Sequence, residues 1–148
     1  MRTAIAVAAL VAGCAAMPEG APPRAPVEEP AAAKPPVPAS DNIAVANLVV
    51  NARGDAAAGR LANAGATLER ALRIEPRNPR LWQELARVRL KQGEFAQAES
   101  VALRSNAWAG TDPALRTENW RLIAEAREAR GDAQGARAAL ETAARMGQ

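Results

Sequence analysis

The chain has 148 residues, a formal net charge of +3 and a pI near 10, and 49% of it is hydrophobic, with Ala far outnumbering larger apolar types. It has no His and a single cysteine, Cys14, which removes imidazole bases, thiol nucleophiles and intrachain disulfides. Ala has the best helix propensity and no segment alternates with a strand period for long, so an all-α fold of one domain follows. All basic residues but Lys34 and Lys91 are Arg, and acidic residues are interleaved with them throughout. That mixture reads as solvated helix faces, with no nucleic-acid partner expected.

Residues 1–14 run Met-Arg-Thr-Ala-Ile-Ala-Val-Ala-Ala-Leu-Val-Ala-Gly-Cys. Arg2 forms a short positive start, and the apolar stretch over 3–12 is too short to span a bilayer but suits an export signal. Its end, Leu10-Val11-Ala12-Gly13-Cys14, resembles the lipobox of bacterial lipoproteins. The resemblance implies a signal peptide over 1–13, cleavage between Gly13 and Cys14, and lipid chains on Cys14. Several acyl chains give a stable anchor where one would be marginal. Ala15 and Ala16, in place of the Asp that retains such proteins at the inner membrane, point to the periplasmic face of the outer membrane. The alternative is an ordinary signal with a chance cysteine. No cofactor is expected beyond the covalent lipid, and no metal.

Residues 14–40 form the next segment, with Pro at positions 18, 22, 23, 26, 30, 35, 36 and 38. Pro lacks an amide donor and clashes inside helices. A disordered spacer biased to polyproline II is expected, and at about 3.1 Å per residue it would reach roughly 80 Å. A ligand for a proline-binding module is the alternative.

A folded domain is expected over 41–148, starting from an N-cap near Ser40-Asp41. Gly59, Gly93 and Gly131 each precede an Ala by five residues: Ala64, Ala98 and Ala136. Leu48, Trp82 and Trp120 lie eleven before the same glycines, and Ala52, Ala86 and Ala124 follow them by four. The period is 34 and then 38, with the four extra residues expected in the Gly-Thr-Asp-Pro segment at 110–113. This register resembles the tetratricopeptide repeat, with repeats at about 45–78, 79–112 and 117–148. The resemblance implies three helix-turn-helix units in a short right-handed superhelix. Helices are expected at 42–57, 61–74, 79–92, 95–109, 113–130 and 133–146, with glycines closing the first helix of each repeat. Asn78-Pro79 and Asp112-Pro113 mark helix starts. Small residues allow close helix contact, while Trp82, Leu85, Phe95, Trp120, Ile123 and Leu140 are expected to fill the layers. Gly54 and Asp55 are expected to weaken the first helix, as a divergent end cap or a partner-held segment. Trp108 is expected to close the core at the 109–113 junction, with an exposed aromatic contact as the alternative.

In such repeats the first helices line a concave face that binds peptides of partner proteins. By that resemblance the groove holds Arg53, Arg80, Gln83, Arg87, Lys91, Arg121 and Glu125, with Ala46, Val49, Ala56, Leu90, Glu118 and Glu128 also at lining positions. A basic central strip beside an acidic-leaning one would result. Arg grips carboxylates bidentately, which suits a partner carrying acidic and basic groups. An ordinary solvated face is the alternative.

The whole arrangement of lipobox, Pro/Ala-rich spacer and small repeat domain resembles the outer-membrane lipoprotein activators of bifunctional (class A) penicillin-binding proteins. A monomeric, non-catalytic adaptor anchored through its lipid and bound to a protein partner is expected. Scaffolds for peptidoglycan hydrolases and pilotins of type IV pili share the parts. An enzyme would need a carboxylate pair such as Glu125 and Glu128 in a cleft.

Overall fold

A computed structural model describes residues 39–147. Gly13, Cys14 and most of the Pro-rich segment lie outside the described residues. Six helices follow in order: α1 (Ile43–Ala57), α2 (Leu61–Ile74), α3 (Pro79–Lys91), α4 (Phe95–Trp108), α5 (Pro113–Ala129) and α6 (Ala133–Met146). They form three stacked hairpins, α1/α2, α3/α4 and α5/α6. Among the described residues there is no strand, and no helix is long and apolar enough to cross a membrane.

Local chemistry sets the boundaries. Asn78 and Asp112 cap α3 and α5 with side-chain oxygens, and Pro79 and Pro113 take the first helical position, where the missing amide costs nothing. The cap of α1 is Asn42, which accepts from the amides of Ala44 and Val45. Ser40, expected near the cap, instead accepts from the Asn42 amide at 2.9 Å and donates to Glu75 at 2.6 Å. That bond straps the entering chain to the far end of α2.

Helices α1, α3 and α5 all end on the same motif. Gly59, Gly93 and Gly131 sit at φ +75°, +78° and +82°, a left-handed conformation that L side chains resist. The next amide (Arg60, Glu94, Asp132) then returns to the carbonyl of Asp55, Arg89 or Arg127 at 2.8–2.9 Å. This closes the helix and starts the reversal into its partner.

Packing rests on small side chains. Ala52, Ala64, Ala86, Ala98, Ala124 and Ala136 are all buried. Around them lie two clusters. One is built on Val45, Val49, Leu68, Leu81 and Leu85, the other on Leu122 and Ile123, and Val101 of α4 packs against both.

Three expectations, on the insertion, Leu140 and Trp108, need correction. The extra residues of the third repeat are not in the 110–113 segment. The links 75–78 and 109–112 have equal length, whereas α5 has 17 residues against 13 in α3. The insertion is therefore a full turn at the start of α5, which buries Leu115. Gly54 and Asp55 lie inside α1, which runs without a break to Ala57. Leu140 fills no layer and is 50% exposed, because no helix among the described residues packs over that face of α6. Trp108 is 45% exposed, lying under the Arg77 guanidinium at 5.2 Å instead of closing the core.

Candidate functional site

Helices α1, α3 and α5 present one common face, and a pocket of about 450 Å³ lies across it. Its floor is apolar: Ala52 and Ala56 of α1, Leu68 of α2, Val88 and Leu90 of α3, and Leu122 of α5. Its rim is charged: Arg53, Glu84, Arg87, Lys91 and Glu125. Positions 84, 87, 88 and 91 share a stripe of α3 by helical spacing, so one helix supplies both floor and rim.

The rim charges are largely matched within the fold. Arg53 of α1 donates to Glu84 of α3, its Nε standing 3.0 Å from Oε1. Arg87 of α3 reaches Glu118 of α5 at 3.1 Å. The expected basic strip is thus a ladder in which Arg53 and Arg87 each meet a carboxylate of the next repeat. Such half-exposed pairs contribute only about 0–1 kcal/mol each to stability, but they hold long side chains along the groove edge. Lys91 and Glu125 make no ion pair among the described residues, and both are exposed.

Of the residues expected in the groove, Arg53, Arg87, Lys91 and Glu125 come together around this pocket. Arg80 stands apart, paired with Asp112 at 3.2 Å, and lines a shallower cleft with Asn42 and Glu75. Arg121 is exposed beside Glu118 and lines no part of the pocket. Gln83 needs correction. It is only 8% exposed, and its amide donates to the buried Asn119 at 3.0 Å. Its polar group is spent on joining α3 to α5. Val49 likewise belongs to the core.

Of the apolar floor, Ala56 and Leu90 stand at expected lining positions, whereas Ala52, Leu68, Val88 and Leu122, like Glu84 on the rim, are not picked out as such by the sequence. Glu84 lies one turn before Arg87, a spacing that places both on one face of α3, but its partner Arg53 is in another repeat. Glu125 stands on the rim of this pocket, whereas Glu128 is exposed on α5 and does not line it, so the pocket does not bring the two carboxylates together.

The tetratricopeptide repeat family matches residues 55–117. A solved structure, the globular C-terminal domain of P. aeruginosa LpoP, is similar at 46% sequence identity with a TM-score of 0.66. The match covers 67% of this chain and 93% of that domain. No curated protein matches the chain. At that identity, and over nearly the whole of that domain, the chain belongs to the LpoP family of tetratricopeptide-repeat proteins.

Proposed function

We propose that this protein is a lipid-anchored adaptor on the periplasmic face of the outer membrane that binds a protein partner and activates a class A penicillin-binding protein. The observation that carries the reading is the groove across α1, α3 and α5. An apolar floor flanked by one free amine, Lys91, and one free carboxylate, Glu125, suits a segment with an apolar anchor between opposite charges. The likeness to the LpoP domain, and the resemblance of the whole arrangement to lipoprotein activators, support the choice of partner. An open groove with an apolar floor suits binding rather than catalysis, so the domain acts by contact.

The test uses the full chain added to a class A penicillin-binding protein during glycan polymerisation. The wild-type chain is expected to raise the polymerisation rate several-fold. Ala57→Trp places a bulky ring on the groove from an exposed position and should abolish the gain, while Lys91→Glu should weaken it and make it less sensitive to salt. No stimulation by the wild-type chain, with hydrolase or secretin components recovered on it from envelope extracts, would replace the activator reading with a scaffold or pilotin one.

The anchor has its own test. Cys14→Ser is expected to eliminate palmitate labelling and release the protein from the outer-membrane fraction. Unchanged labelling would place the lipid elsewhere and remove the lipobox reading.

A further inference from the structure

The opposite face of the stack carries a second cleft of about 430 Å³, between α2 and α4 with α3 as its base. Leu72, Pro76, Trp82, Leu85 and Val101 make it apolar. The Trp82 ring is fixed in place, because its Nε1 donates to the Pro76 carbonyl at 2.8 Å. Arg104 of α4 stacks on that ring at 4.8 Å, and one turn later Trp108 carries Arg77 at 5.2 Å. Arg73 stands on the rim.

Unpaired guanidinium groups gather beside the two indoles of this face. Arg53, Arg80, Arg87, Arg89, Arg127 and Arg130 each meet a carboxylate. Arg73, Arg77 and Arg104 meet none among the described residues; Arg70, Arg116, Arg137 and Arg145 make no ion pair there either, but none of those four lines the cleft or stacks on Trp82 or Trp108. The carboxylate lining the cleft, Glu69, is already bound to Arg89 at 2.6 Å. Nor does the repeat dictate the cluster. One repeat on, the corresponding positions hold Ala107, Thr111 and Thr142. A guanidinium lying flat on an indole keeps its N–H edge outward, the geometry that grips a carboxylate bidentately.

We infer that this cleft docks an acidic amphipathic segment of a protein partner, separately from the groove on the α1/α3/α5 face. Apolar side chains of the segment enter between α2 and α4, and its carboxylates meet Arg73, Arg77 and Arg104. Charge complementarity selects an acidic occupant. The recessed floor selects a peptide: Leu72 and Leu85 lie buried below the helix ridges, where neither a bilayer surface nor a bare polyanion reaches them.

The experiment measures anisotropy of a labelled synthetic helix with Leu and Phe anchors flanked by Glu, titrated with the full chain. Its Lys-for-Glu counterpart, poly-glutamate and phosphatidylglycerol vesicles serve as the other probes. The acidic helix is expected to bind, and Arg73→Glu with Arg104→Glu to weaken it about tenfold or more. Both sites are exposed, so unchanged circular dichroism and melting should accompany the loss. Arg104→Lys keeps the charge but loses the planar fork, and should give an intermediate loss. Ala57→Trp, on the opposite groove, should leave this binding intact. The inference is overturned if the acidic helix does not bind, if binding survives the charge reversals, or if poly-glutamate binds as tightly. Vesicle binding without helix binding overturns it in favour of a lipid surface.

Discussion

Asn119 has no exposed surface, yet it is polar to its tip. Its Oδ1 accepts from Gln83, and its Nδ2 donates to Ser105 at 2.7 Å and to Asn106 at 2.9 Å. Ser105 in turn donates to the Pro79 carbonyl at 2.7 Å. One amide therefore joins α3, α4 and α5. Burying it is tolerable only because both ends are satisfied. Asn119→Leu keeps the volume and strands the Gln83 amide, so a loss of about 1–3 kcal/mol is expected in urea unfolding. A variant as stable as the parent would mean that the network is not a source of stability. The same network explains why Gln83 was misread. Its position within the repeat points to the groove, and its partner lies 36 residues further along the chain, where spacing within a helix carries no information.

Two glycines five residues apart, Gly54 inside α1 and Gly59 just past its end, have opposite roles at the level of the helix. Gly54 lies inside α1 with nothing within 4 Å of an added Cβ and no positive φ. Gly59 has the same open space but sits at φ +75°. Gly54→Ala should therefore stabilise the fold by about 0.5–1 kcal/mol by restricting the unfolded chain. Gly59→Ala should destabilise it by about 1–2 kcal/mol through the left-handed backbone. Thermal melting of the two variants reads the difference directly, and shifts in the same direction would contradict the assignment. Five helix starts and all three Schellman ends were legible in the sequence, because each rests on local chemistry: a Pro after a cap, a Gly after a helix, an Ala at each close approach. The added turn of α5 was not. A period of 38 instead of 34 counts extra residues without locating them, and Pro113 starts a long helix as readily as a short one. The exposure of Leu140 was hidden for a different reason. Its place in the repeat is a buried one, held by Leu68 and Ala102 in the other two, and it is exposed because no described helix packs beyond α6.

No hairpin of this molecule buries its apolar face alone, so stability depends on how the hairpins couple. One cluster spans α1 to α3 and the other spans α3 to α6, and Val101 packs against both from α4. Its side chain is one of the places where the first repeat senses the third. The Arg53–Glu84 and Arg87–Glu118 pairs run the same way along the groove edge, but half-exposed pairs transmit little. Coupling should therefore be governed by packing more than by charge. Val101→Ala removes two methyl groups from a partly buried site, a loss of about 1–1.5 kcal/mol at about 0.8 kcal/mol per buried group. The larger expected effect is on cooperativity. Amides of α1 and α5 should exchange with solvent at the same denaturant concentration in the parent. In the variant those of α1 should exchange first, and the urea m-value should fall as the two clusters separate. If the variant loses stability with an unchanged m-value and coincident exchange, the clusters are held together elsewhere, and the buried Asn119 network that ties α3 to α5 is the next link to cut.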